Sequence, residues 1–303
     1  MDRKSSSDST PRVLRALYKP LRPPLPLVGN EVIVVRHSET IDEVFPDWIE
    51  RSKLDVPEYI PFDLNMPVRL PRRAEMKVAY KHDPPLSEIG RIMTQIFARE
   101  LVVRNAIPKV IYSSTSFASI QTAADIQTFI GKQCGSICVD PALASDRQGA
   151  PFWLTQKELL QLNYRINESY IAQKVESEDM NSVANSMKRL VNIFSQSTGL
   201  VLVVTDSLAV SMLMDIISEV ERKYDQSEKQ LRKEAEIAFP ATSSIIFAPN
   251  ASVSTQFLTS PDFQQNTKVQ LNDATGFLAD AFGTFTHISS SSNQNWQKFT
   301  TTL

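Results

Sequence analysis

The sequence predicts an α/β protein, a three-layer sandwich whose central sheet is mostly parallel, and three observations predict it. Continuous apolar runs with the length and β-branched content of buried strands occur at 31–35 ("EVIVV"), 109–113 ("KVIYS") and 200–204 ("LVLVV"). Between them lie segments of helical period: Ile89, Ile92, Met93, Ile96, Phe97 and Leu101, then Ile120, Ala123, Ala124 and Ile130, then Met187, Leu190, Val191 and Phe194. Strands alternating with helices of this length imply right-handed crossovers and a sheet covered on both faces.

Each segment follows from its residues. Residues 1–30 hold no continuous apolar stretch of the kind that directs secretion, and "KPLRPPLPLV" has P-x-x-P spacing, so a disordered, proline-rich lead-in is expected there. One large domain is expected over 31–303. After its first strand, residues 42–85 carry seven prolines and no sustained period, which predicts a long insert of the kind that lines a site or a partner surface. "GLVLVVTDSLAVSMLMDIISEV" is the most apolar stretch, but Asp206 and Asp215 lie within it, so it reads as strand, turn and amphipathic helix and not as a membrane span. Residues 219–237 mix Glu and Lys at helical spacing, the pattern of a solvated structural helix. "SSSSNQNW" near the C-terminus reads as a loop.

Charge and cysteine count exclude several function classes. Lys plus Arg number 32 against 34 acidic residues, a net charge of −2 that gives no overall attraction to nucleic acid or to an anionic membrane. Two cysteines, Cys134 and Cys138, are too few for a disulfide framework or a four-ligand zinc site; reduced thiols and a cytoplasmic location are expected. Sequons at Asn167 and Asn250 are read as accidental. No metal and no cofactor is expected.

In an open parallel sheet ligands bind outside the carboxyl ends of the strands. The first predicted strand delivers Arg36, His37 and Ser38; the second delivers Ser114, Thr115 and Ser116; the third delivers Thr205, Asp206 and Ser207. A guanidinium binds phosphate at two points and an imidazole can attack phosphorus, so Arg36 and His37 suit phosphoryl transfer. By itself the dipeptide reads equally as a structural histidine.

At this point the sequence resembles a family. "VIVVRHSE" is similar to the RHG signature of the histidine phosphatase superfamily, the phosphoglycerate mutase-like proteins, with Ser38 in place of the glycine. "FPDW", "DLNMPVRLPRR" at 63–73, "DPPLSEIG" at 83–90, "IQTA" at 120–123 and "FTH" ending at His287 resemble, in order, the phosphatase domain of the TULA branch, the suppressors of T-cell receptor signalling. The likeness spans roughly residues 31–300, and 30 upstream residues leave no room for the ubiquitin-associated and SH3 domains of that branch, so a stand-alone phosphatase-like domain is expected.

The resemblance implies a phosphoglycerate mutase-like fold, with His37 as the nucleophile and Arg36 as the phosphate clamp. It also implies losses. The arginine that often follows the signature glutamate is Thr40 here. The second core arginine falls on Ala118, the second histidine on Asp206 and the branch's acid near Ser145. A positioned proton donor contributes about 10²–10⁴-fold and a preorganised charge donor on the order of 10²–10³-fold. A carboxylate about 4 Å from a phosphate charge opposes it by roughly 4 kcal/mol at an effective dielectric near 20. We therefore expect a pseudophosphatase, impaired or inactive, that acts by binding or scaffolding.

The alternatives are a weak phosphomonoesterase or protein-tyrosine phosphatase working through a phosphohistidine at His37, and an anion-binding module. For the last, Arg72, Arg73, Arg147 and His287 are the candidate ligands; "RLPRR" also reads as a solvated basic turn, and His287 as a structural residue. His82 is expected at the surface. Asp206 is expected to pair with His37 and raise its pKa. The resemblance makes a homodimer one expected partner state, beside a protein partner or a phosphate-containing ligand.

Overall fold

The computed structural model describes residues 29, 31–54, 59–175, 179–217, 220, 224, 227–247 and 269–272. In chain order these comprise β1 (Val32–Arg36), α1 (Ile41–Val44), α2 (Trp48–Arg51), α3 (Met76–His82), α4 (Glu88–Val103), β2 (Val110–Ser113), α5 (Phe117–Ile130), β3 (Ser136–Val139), α6 (Gln156–Gln161), α7 (Met180–Gln196), β4 (Val201–Thr205), α8 (Ser207–Ile217), α9 (Glu228–Ala238), β5 (Ser244–Phe247) and β6 (Val269–Asn272). The lead-in apart from Gly29, the sequon at Asn250, the "SSSSNQNW" stretch and His287 lie outside the described residues.

The six strands form one sheet in the order β3-β2-β4-β1-β5-β6. β1, β2, β3 and β4 pair in parallel, while β5 and β6 run antiparallel at one side. Every residue of β1 and β4 is buried, and the alternation of side chains along a strand divides them between two cores. Ile33, Val35, Leu202 and Val204 meet Phe97, Leu101, Ala123 and Ile126 of α4 and α5. Val32, Val34, Val201 and Val203 meet Met187, Leu190, Phe194, Val210, Leu213 and Leu231 of α7, α8 and α9. Helices on both faces of a mostly parallel sheet are the three layers expected.

The face that α4 buries differs from its isoleucine pattern. Gly90, Thr94, Phe97, Ala98 and Leu101 face inward, whereas Ile89 and Ile92 are exposed. The cause is backbone contact: a Cβ on Gly90 would lie 2.2 Å from the carbonyl oxygen of Glu39. Only glycine allows that approach, so the helix is rotated to present its small residues to the chain after β1.

The insert is also more structured than its prolines suggest. Ile41, Trp48, Leu54, Met66, Tyr80 and Phe117 make a third apolar cluster, so the segment holds its own small core against the start of α5. Arg73 lies within it, its guanidinium 4.6 Å from the ring centres of both Tyr80 and Phe117. Its Nη1 donates to Asp83 Oδ2 at 2.8 Å, and the two side chains are only 3% and 1% exposed.

Candidate functional site

The carboxyl ends of β1 and β4 lie side by side, with Arg36 opposite Thr205 and the His37 amide donating to the Thr205 carbonyl at 2.8 Å. Parallel pairing thus brings His37 next to Asp206 in space. Motifs distant in sequence hold this corner. The Ser38 amide donates to Thr122 Oγ1 at 3.1 Å, and Ser38 Oγ donates to the Gly90 carbonyl at 2.6 Å. Ser38 has no left-handed backbone conformation, so serine fits where the family signature has glycine. Glu39 Oε1 accepts from Ser87 Oγ at 2.5 Å, the Leu86 amide donates to Gln121 Oε1 at 2.7 Å, and the Phe117 amide donates to Asp83 Oδ1 at 2.6 Å. "DPPLS" and "IQTA" are therefore braces between the first strand's end and the start of α5.

Arg36 is buried, and its guanidinium already has partners. Nη1 donates to the Phe239 carbonyl at 3.0 Å, and Nη2 donates to Glu43 Oε1. Its Nε, also buried, has no hydrogen-bond partner among the described residues. Glu43 Oε2 in turn accepts from the Thr40 amide at 3.0 Å, the reciprocal half of a capping box at the start of α1. Thr40 is thus a helix cap in place of a charge.

His37 Nδ1 is 2.9 Å from the Ser38 carbonyl, which fixes the ring. The enclosing protein lowers the His37 pKa from its ordinary value near 6.5, and the Arg36 charge lowers it further; Glu43 and Asp206 pull in the opposite direction. The expected rise is therefore corrected. Asp206 is the weaker of these two influences, and its carboxylate is engaged elsewhere. Its Oδ2 accepts from the Ser145 amide at 2.9 Å, while its Oδ1 accepts from Ser145 Oγ and, at 2.9 Å, from the Ala209 amide in the first turn of α8. Asp206 is a clasp between two segments and not the counter-ion of His37.

One participant was absent from the sequence reading. Arg232 of α9 donates to the Ser145 carbonyl at 2.9 Å and to Ser145 Oγ at 3.3 Å, and it also binds Glu228 at 2.6 Å. Burial alone would lower its pKa, but Asp206 and the neighbouring acids raise it. The i,i+4 pair of Glu228 and Arg232 has the signature of a solvated helix face, so only the tertiary placement reveals its reach into the site. Glu43 left a signal, the T-x-x-E spacing from Thr40, but that spacing announces a helix start and not a contact with Arg36.

The end of β2 supplies no charge. Ser114 Oγ, Ser116 Oγ and Ser119 Oγ form a hydroxyl chain with steps of 3.1 and 2.8 Å, and Ala118 is buried in the first turn of α5. Of the other candidate cations, Arg73 and Arg147 make their hydrogen bonds and ring contacts away from His37. Arg73 is buried against Asp83. Arg147 donates to the Pro141 carbonyl at 3.1 Å and lies over the Trp153 ring. Arg72 is exposed. His82 is exposed as expected and stacks on Phe152 at 5.5 Å. No group of three or more His, Cys, Asp or Glu side chains with metal-binding geometry occurs among the described residues. Within those residues no helix is long and apolar enough to cross a membrane.

Comparison with known proteins places this arrangement. No family model matches the chain. It is 28% identical over 191 residues to the ecdysteroid-phosphate phosphatase of Drosophila melanogaster, covering 58% of this chain and 25% of that protein. It is 26% identical over 217 residues to human ubiquitin-associated and SH3 domain-containing protein A, covering 66% of this chain and 33% of that protein. The chain thus spans between a quarter and a third of the length of these relatives. Among solved structures, the ecdysone phosphate phosphatase of Bombyx mori in complex with tungstate superposes with a TM-score of 0.61 at 18% identity, covering 88% of this chain and 98% of that one. The chain has the phosphoglycerate mutase-like fold of the histidine phosphatases, and its sequence is homologous to ecdysteroid-phosphate phosphatase and to the TULA proteins, the suppressors of T-cell receptor signalling.

Proposed function

We propose that this chain is a pseudophosphatase, a phosphatase-like domain whose phosphoryl transfer is impaired or lost and which acts by binding or scaffolding. The observation that carries the reading is the state of the charges around His37. The clamp, Arg36, is held by Glu43 and by the Phe239 carbonyl. The positions that the resemblance assigns to a second arginine and a second histidine are a buried alanine, Ala118, and an aspartate, Asp206, engaged by Ser145. A transferring phosphoryl group spreads negative charge over its oxygens and needs several aimed donors. One guanidinium already bound to a carboxylate does not supply them. The ligand of such a domain is a protein partner, a second copy of the chain, or a phosphate-containing molecule held without turnover, and the free thiols of Cys134 and Cys138 support a cytoplasmic location.

A second reading has its own support. The lowered pKa of His37 keeps the imidazole neutral at pH 7, the form that attacks phosphorus. A weak phosphomonoesterase or protein-tyrosine phosphatase acting through a phosphohistidine at His37 is the reading that observation favours. Assay of the purified chain against an aryl phosphate from pH 5 to 8, beside His37→Ala and the double change Ala118→Arg with Asp206→His, separates the two. We expect no turnover above the His37→Ala background from the natural chain. Turnover that His37→Ala abolishes overturns the pseudophosphatase reading.

A further inference from the structure

We propose that Glu43 is a built-in occupant of the anion-binding edge of Arg36, and that this one carboxylate determines that the site rejects dianionic ligands such as phosphate esters. The inference rests on the reading above and narrows it: Glu43 keeps the remnant clamp closed, which makes a phosphate dianion the least favoured of the ligands named there.

The geometry begins with the guanidinium. An arginine takes an oxyanion at two points through its side edge, formed by Nε and Nη2. In Arg36 the opposite nitrogen, Nη1, is committed to the Phe239 carbonyl at 3.0 Å. The side edge is half used: Nη2 donates to Glu43 Oε1, and Nε is buried without a partner among the described residues. A carboxylate free to pair would present both oxygens to both nitrogens. Glu43 does not, because its second oxygen accepts the Thr40 amide at 3.0 Å. The occupant is thus held by the helix cap at the start of α1 and covers one of two donor positions.

The charge balance points the same way. The Arg36 side chain is 8% exposed, and that of Glu43 is 35% exposed. The cation is enclosed, while its anion sits at the open side, where an incoming ligand would arrive. A phosphate dianion approaching that edge meets Glu43 as a like charge and competes with it for Nη2. His37 registers the same carboxylate, since Glu43 is among the charges that hold its pKa up against burial.

Glu43→Gln isolates the effect. Glutamine keeps an acceptor for the Thr40 amide, so the cap of α1 survives, and only the charge is removed. The probe is inorganic phosphate, with tungstate as a second oxyanion, each titrated calorimetrically into the full chain. We expect Glu43→Gln to bind phosphate on the order of 10- to 100-fold more tightly than the natural chain. Adding Arg36→Met to Glu43→Gln is expected to abolish the gain, which locates the anion on Arg36. In the same samples the His37 imidazole, followed by NMR, titrates at a lower pH in Glu43→Gln than in the natural chain, a shift that a purely capping role would not produce. Equal phosphate affinity in the natural chain and Glu43→Gln, or a gain that persists without Arg36, overturns the proposal. An aryl phosphate assay on the same proteins keeps the two readings apart: turnover by the natural chain defeats the pseudophosphatase reading, whereas equal binding without turnover defeats only the role of Glu43.

Discussion

Two of the arginine–carboxylate pairs in the first third of the chain have opposite characters. Arg73 and Asp83 are both enclosed, with two aromatic rings over the guanidinium and Asp83 Oδ1 also accepting the first amide of α5. Arg36 is enclosed, but its partner Glu43 is open to solvent on one side and shared with the Thr40 amide. A charge with no access to water must keep its partner, because the unpaired ion is far costlier than the pair. A charge whose partner borders solvent can exchange it for a ligand. The first pair is therefore part of the scaffold, and the second occupies a site.

The largest expected effect comes from breaking the enclosed pair. Asp83→Ala leaves Arg73 buried without its counter-ion and the Phe117 amide without its acceptor, and we expect a loss of about 3–5 kcal/mol in urea unfolding. Glu43→Gln, by contrast, keeps a side-chain oxygen for Arg36 Nη2 and for the Thr40 amide, and is expected to cost less than Asp83→Ala although it leaves the enclosed guanidinium without its counter-ion. Equal losses in the two variants would remove the distinction.

An intermediate effect is expected at the clasp between the two halves of the site. Asp206→Ala removes the acceptor of the Ala209 amide, a helix-capping contact, together with that of the Ser145 amide. A loss of roughly 2–3 kcal/mol follows, again read by urea unfolding. If Asp206 were the counter-ion of His37 instead, the variant would also lower the pH at which the imidazole titrates by more than Glu43→Gln does. We expect the smaller shift.

The smallest effect is the pH dependence contributed by His37. Burial and the Arg36 charge depress its folded-state pKa, so below about pH 6.5 the unfolded chain binds more protons than the folded one. The sign follows: the contribution of His37 to stability is present above pH 6.5 and is lost as the pH falls. Urea midpoints at pH 5 and 7.5 should converge in His37→Gln relative to the natural chain. Unchanged pH dependence in that variant would show that the imidazole titrates as in the unfolded chain.

Much of the fold is legible locally. The apolar runs at 31–35, 109–113 and 200–204 lie within one residue of β1, β2 and β4, because a strand buried on both faces declares itself by composition alone. β3 and β5 are not among those runs, and the insert's helices hold together through a cluster of residues spread from Ile41 to Phe117. Motif resemblance singled out Arg36, His37, Ala118 and Asp206, but the expected pairing of Asp206 with His37 is replaced by hydrogen bonds from Ser145 and Ala209, since the partner of a carboxylate depends on which distant donors fold beside it.

The sequence by itself determined the alternation of strands and helices and the Arg-His pair at a strand end, local facts carried by period, composition and spacing; which residues stand where a second arginine and histidine would be is what its resemblance implies. Only the tertiary structure decided what those residues do: Glu43 on Arg36, Ser145 and Arg232 around Asp206, and the His37 pKa lowered where charge counting alone would raise it. The physical reason is that burial and pairing are set by groups up to about 200 residues apart, as with Arg36 and Phe239, and no period in the chain encodes their distance.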